Sequence, residues 1–151
     1  MATTVTAATM TVSISESISL NGKNQGATNT LSISSINEVT NRIVTIPTSE
    51  VTVFSFAAAV NSGTYIASGV RYIRLTNKDD TNYVILNIEG ANSTDFSVRL
   101  DPGASYLVVS SSTTGVVDYG DISGATLEDL TGIKATANSA AVDLEAFIAS
   151  A

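Results

Sequence analysis

Apolar and polar residues alternate with a period of two along most of this chain. In TVSISESISL (residues 11–20), Val12, Ile14, Ile18 and Leu20 fall on one side and the serines on the other. Successive side chains of a strand point to opposite faces, so this is the signature of a strand with one buried face. Glu16 interrupts the apolar side. A bulge, or a strand crossing from core to rim, accommodates it; a paired charge at a subunit contact is the other reading.

The same period continues through TLSISSI (30–36) and EVTNRIVTI (38–46), where Pro47 ends the run because it cannot donate to a ladder. EVTVFSFA (50–57) sets Thr52, Phe54 and Phe56 opposite Val51 and Val53, which implies burial on both sides; Ala57–Ala59 can instead open a short helix. VRYIRLT (70–76) and NYVILNIEG (82–90) read as a hairpin with Lys78–Asn82 at its tip. DFSVRLD (95–101) points Phe96, Val98 and Leu100 inward and Arg99 outward, and ASYLVVS (104–110) follows. GIKATA (132–137) and AAVDLEAFIA (140–149) read as a last hairpin, with Val142, Leu144, Ala146 and Ile148 facing in and Asp143, Glu145 and Phe147 facing out.

Turn chemistry punctuates these runs. Asn21-Gly22 is a two-residue hairpin signal. Asp101-Pro102-Gly103 is a tight turn, with Pro setting φ and Gly supplying positive φ. Residues 111–125 have no clear period, and TLEDL (126–130) fits one helical turn with Thr126 as its N-cap. Roughly nine or ten short strands result, at the spacing of a sandwich or barrel. The lack of a long amphipathic helix between them argues against a βαβ fold. The expected fold is all-β: an antiparallel β-sandwich, jelly-roll-like, with at most one short helical turn near 126–130. Residues 1–9, small and polar, are expected to form a flexible arm, and 10–151 a single domain.

Composition sharpens this. Of 151 residues, 44% are hydrophobic, only 6% aromatic and 14% charged, the last well below the roughly 25% of an average domain. Ser and Thr take over the surface. The net charge of -7, with seven scattered basic residues, argues against a phosphate-backbone binder. The N-terminal MATTVTAATMTVSIS has no basic segment followed by a continuous apolar run, so it does not read as a secretory signal. No stretch approaches the ~20 apolar residues of a membrane-spanning helix.

Candidate chemistry is sparse. The chain has no Cys and no His, which removes disulfides, thiolate metal sites and the commonest general base. Lys78-Asp79-Asp80-Thr81-Asn82 is the only stretch suggestive of a cation loop, but its acids are adjacent, and neither the required Gly nor a closing Glu follows. It reads as a turn. Asp118, Asp121, Glu128 and Asp129 cluster between 111 and 132, yet a glycosidase pair also needs aromatic platforms, and Tyr119 is the only aromatic residue nearby. They read as a solvated acidic loop. Asn92-Ser93-Thr94 matches a glycosylation acceptor and reads as a turn. No catalytic residue, metal or cofactor is expected.

Residues 70–149, through VRYIRLTNKDDTNYVILNI, FSVRLDPGASYLVV and LTGIKATANSAAVDLEAFIAS, resemble small virion structural proteins of tailed phages, especially marine ones. The matching features are an Arg-rich hairpin that precedes a Pro-Gly turn, and an I-K-A-x-A strand that precedes a final alternating strand. The resemblance implies a β-sandwich or jelly roll acting on the head as decoration or cement, or in the neck, tail or fibre. It implies a homotrimer in contact with the major capsid protein or another virion protein, without nucleic acid or membrane, located on the virion. A carbohydrate-binding or adhesive sandwich is the alternative. Candidate interface residues are Val5, Met10, Val12, Glu16, Arg71, Arg74, Arg99 and Phe147. Arg is enriched at interfaces, Phe147 is an outward aromatic, and an N-terminal arm of residues 1–12 can add a strand to a neighbour.

Overall fold

The computed structural model describes residues 4–59, 61–91, 95–111 and 129–151. It opens with β1 (Ala8–Ser15), β2 (Ser19–Leu20), β3 (Lys23–Asn24) and β4 (Thr28–Ile36). Then follow β5 (Glu38–Ile46), β6 (Val51–Ala57), β7 (Tyr65–Ile66), β8 (Val70–Asn77) and β9 (Val84–Gly90). The last four are β10 (Phe96–Leu100), β11 (Ser105–Val109), β12 (Leu130–Ala137) and β13 (Val142–Ser150). A single 3₁₀ turn at Ala67–Gly69 is the one helical element among the described residues.

Two sheets face each other. One has the order β10-β9-β12-β6-β7 and the other β11-β8-β13-β5. The pairs β5·β13, β6·β12, β8·β11 and β9·β10 are all antiparallel. Eight strands therefore form one long hairpin, with its bend between β9 and β10, wound into two sheets. This is the strand order of a jelly roll, and the antiparallel sandwich expected from the alternation is present.

The core lies between the sheets. Val84, Leu86 and Ile88 of β9, Ile73 and Leu75 of β8, and Val142, Leu144, Ala146 and Ile148 of β13 are fully buried at alternate positions. Each Val, Leu and Ile among them contributes on the order of 1.5–3 kcal/mol by leaving water. β6 departs from strict alternation. Phe54 pairs with Ile133 and Thr52 with Lys134, so Val53 is the extra residue of a bulge. Val53 and Phe54 are consequently both buried while Thr52 stays exposed. The apolar residues on both faces of this segment thus reflect a bulge and not two buried faces. Ala57 ends the strand and no helix follows.

Two expected hairpins are corrected. β8 and β9 lie in different sheets, as do β12 and β13. The Lys78–Asn82 segment is therefore a corner that carries the chain from one sheet to the other. Asn138–Ala141 does the same for the last two strands. The expected helical turn at 126–130 falls mostly outside the described residues, and Leu130 itself begins β12. Asp118, Asp121, Glu128 and Asn92-Ser93-Thr94 also lie outside the described residues.

β1 and β4 form a separate antiparallel pair that continues outward into β2 and β3. Asn21 and Gly22 join β2 to β3 with φ of 50° and 76°, the two positive values of a type I′ turn. Between the two pairs the chain pinches. The Glu16 N–H donates to Ala27 O at 2.8 Å, and a Cβ on Gly26 would lie 2.1 Å from the Glu16 carbonyl oxygen. Only glycine fits there. β1 ends at Ser15, so Glu16 sits at a break in the strand.

At its base this hairpin folds onto the outer face of the four-stranded sheet. Ser35 adopts φ 64°, and the register shifts between Ala8 and Met10. The bulge turns both Ile33 and Ile36 onto the sheet, although a spacing of three would otherwise send them to opposite sides. They join Tyr72 and Ala149 in a second small core, with Met10, Val12, Leu31, Leu107, Val109 and Phe147 around it. Ala8 and Thr9, expected in a flexible arm, are part of β1; residues 4–7 lie outside any element and are exposed.

Candidate interaction surface

The register of β11, β8, β13 and β5 lays out the outer face of the four-stranded sheet in rows. Val109, Tyr72, Ala149 and Val39 form one row. Leu107, Arg74, Phe147 and Asn41 form the next, followed by Ser105, Thr76, Glu145 and Ile43. The hairpin base covers the first two rows on the β8–β11 side. Phe147 meets Tyr72 edge-on, with ring centroids 5.4 Å apart, and the Arg74 guanidinium lies 5.9 Å from the Phe147 ring.

The β5 border of this face is open. Val39 is 54% exposed and Ile43 is 65% exposed. Beside Ile43, Glu145 is bound by Arg74 at 2.7 Å and by Lys78 at 3.9 Å. The Arg74 hydrogen bond, with support from the Lys78 charge, holds the Glu145 carboxyl below the ordinary glutamate range. One step along, Asp143 accepts a hydrogen bond from Thr45 at 2.7 Å.

The hairpin is amphipathic. Ser13–Thr30 and Ser15–Thr28 hydroxyls bond across its polar side at 3.2 and 3.0 Å. Its apolar side runs from Met10 through Val12 to Ile14 and lies next to Leu31. Val12, Ile14, Leu31 and Val109 line a shallow apolar groove of about 310 Å³ between hairpin and sheet. Ile14, at the end of this groove, is 40% exposed, and beyond it Ile18 and Leu20 are 55% and 61% exposed.

The candidate interface residues separate into groups. Met10, Val12 and Phe147 meet at the hairpin base, and Arg74 stands over Phe147. Val5 is exposed just before β1, and Glu16 sits at the pinch. Arg71 is buried, occupies a bulge on β8 and donates to Ser68 O at 2.5 Å. Arg99 belongs to the opposite sheet, where it stacks 4.0 Å from the Tyr83 ring centre and bonds Asp101 at 2.7 Å. Residue-by-residue reading missed Val39, Ile43, Ile18 and Leu20. Ile18 and Leu20 share the alternation of Val12 and were expected to be buried. Ile43 and Val39 can be placed on the outer face only once β5 is known to pair with β13.

Two other features have structural explanations. The Lys78–Asn82 corner holds its carboxylate for the backbone: Asp79 Oδ1 accepts from the N–H groups of Asn82 at 2.6 Å and Thr81 at 2.7 Å. These bonds lower the Asp79 pKa. Among the described residues no group of three or more His, Cys, Asp or Glu is placed to hold a metal ion. At the free edge of the sandwich, Arg42 donates to Val53 O at 2.5 Å and Tyr65 to Thr40 Oγ1 at 2.8 Å, clasping β5 to the facing sheet. A polar cleft of about 350 Å³ opens there, lined in part by Glu38, Arg42, Asn61 and Tyr65. No helix among the described residues is long and apolar enough to cross a membrane. Comparison with protein-family models, curated proteins and solved structures finds no match.

Proposed function

We propose that this chain is a non-enzymatic structural protein of a tailed-phage particle, seated on the head lattice as a decoration or cement protein. A neck, tail or fibre position is the same reading at another place on the particle. The observation that carries it is the uncovered apolar surface at the hairpin end (Ile14, Ile18, Leu20) and on β5 (Val39, Ile43). A lone soluble domain seldom leaves large apolar patches in water, and contact with another protein covers them. The jelly-roll order adds support, since this architecture serves viral capsids as well as lectins, although a fold alone assigns no function. The resemblance of residues 70–149 to virion proteins spans β8 to β13.

In this reading the sandwich is a stiff plate and the hairpin a clip. Attachment works by burying apolar surface, and a stable specific contact buries about 1,200–2,000 Å² in total. The test is mass spectrometry and electron cryo-microscopy of purified particles from the phage that encodes the chain. Many copies per particle, with sandwich-shaped density on the shell, are expected. Absence of the chain from washed particles would refute the reading.

A second reading, a carbohydrate-binding module, is favoured by the polar cleft at Arg42 and Tyr65. Glycan-array binding that disappears in Arg42→Ala would establish it.

A further inference from the structure

Among the described residues, the exposed large apolar side chains other than Val5, Ile66 and Phe96 fall in two patches that differ in shape. One is the protruding hairpin end with Ile14, Ile18 and Leu20; the other is the flat β5 border with Val39 and Ile43. Beside each stands a charge without an ionic partner among the described residues: Lys23 at the hairpin end, where Glu16 at the pinch is the other charge, and Asp143 at the β5 border, where Glu145 is already bound by Arg74 and Lys78 and Glu38 accepts a hydrogen bond from Ser150. Lys23 pairs directly across from Leu20, so the two share a face of the β2–β3 ladder. Lys23 is also the only basic residue before Arg42. Asp143 pairs with Thr45, two residues along the same face from Ile43. Among the described residues neither Lys23 nor Asp143 has an oppositely charged partner.

The β5 border is also continuous with a surface that this hairpin already recognises. Val39 lies in the row of Ala149 and Tyr72, on which Ile33 and Ile36 of the hairpin base are packed. The same outer face thus takes apolar hairpin residues on its β8–β11 side and leaves its β5 side open.

We propose that the hairpin end of one copy, through Ile14, Ile18, Leu20 and Lys23, docks on the β5 border of a second copy, at Val39, Ile43 and Asp143. Apolar residues meet apolar residues, and Lys23 meets Asp143. The two patches are different surfaces of one chain, so the contact is head-to-tail. Repetition closes a ring where the rotation permits and extends a filament where it does not. The inference names the self-contact and holds whether or not the assembly sits on a phage shell.

The chain contains no cysteine, which permits a clean test. Leu20→Cys and Ile43→Cys are made as separate single variants of the full chain and mixed under mild oxidation. Both positions are exposed, and unchanged thermal melting checks that each variant is folded. A Leu20–Ile43 disulfide between copies, in excess over either symmetric product, is expected. Sedimentation of the unmodified chain should show an oligomer that dissociates in Ile43→Asp. Lys23→Asp should weaken association by about fivefold, and Asp143→Lys should restore it. A monomer at about 100 µM with only random cross-linking would overturn the proposal. So would a symmetric Leu20–Leu20 product, or a hairpin end that captures only a different protein. Oligomers in solution with no chain on purified particles would leave this inference standing and refute the virion reading; particle attachment by monomers would do the reverse.

Discussion

Asn77 donates from Nδ2 to the carbonyl oxygen of Leu100 at 3.1 Å, tying the end of β8 to the end of β10 in the opposite sheet. The same amide donates to Asn82 O at 2.8 Å and accepts from the Asp79 N–H at 2.9 Å. The Asn77 backbone bonds Ala104 and Gly103 of the next corner. One fully buried side chain therefore organises two neighbouring corners of the jelly roll.

Replacing Asn77 with Ala leaves buried carbonyls without a donor, each costing about 1–3 kcal/mol. Asn77→Ala is expected to destabilise the fold by about 3 kcal/mol in urea unfolding. Asp80→Ala in the same corner, an exposed position, is expected to change stability by less than about 0.5 kcal/mol.

The hairpin and the sandwich are expected to separate under mutation. Ile33 is buried between them, so Ile33→Asp places a charge in an apolar contact and frees the hairpin base. Limited proteolysis should then cut within residues 16–27, while the β5–β13 sandwich keeps its thermal transition.

Ser35 holds a left-handed conformation at φ 64°, which costs a non-glycine residue about 1–2 kcal/mol. Ser35→Gly relieves that strain against a smaller loss of chain entropy. A gain of about 0.5–1 kcal/mol in chemical denaturation is expected, and Ser35→Val should destabilise.

Acid stability follows from Glu145. Its pKa in the folded protein is depressed below the ordinary 4.5, chiefly by the Arg74 hydrogen bond. A depressed carboxylate stabilises the fold above its unfolded pKa, and that contribution disappears as the pH falls through the folded value. Melting temperature should therefore be insensitive to this pair above about pH 5 and decline below 4.5. Glu145→Gln should melt lower at neutral pH and show a shallower decline on acidification.

Local chemistry was legible in the sequence, and the allocation of strands to sheets was not. β5 could be read from Glu38 to Ile46 because Pro47 ends it, and the Asn21-Gly22 turn declared the β2–β3 hairpin. The strand pattern of VRYIRLT and NYVILNIEG was also clear. Six residues between β8 and β9, however, serve equally for a hairpin or for a crossing between sheets. The crossing shows itself only in the long-range pairings of β8 with β11 and β13 and of β9 with β10 and β12, and in Asn77 bonding across to Leu100, 23 residues away. The bulge at Val53 was hidden for a similar reason, because an extra residue shows itself only against the partner strand β12. The interaction surface suffered most. Period-two logic expects Ile18 and Leu20 to be buried, and only their position beyond the sheet reveals them as uncovered.

The central claim is that uncovered apolar residues at the hairpin end attach this chain to its assembly. It is tested most directly by cosedimentation with particle shells that still carry part of their complement of the chain, comparing the native sequence with an Ile18→Asp, Leu20→Asp double variant that melts at the same temperature. The account expects saturable binding by the native chain and at least tenfold weaker binding by the variant. Equal binding by the two proteins would contradict it.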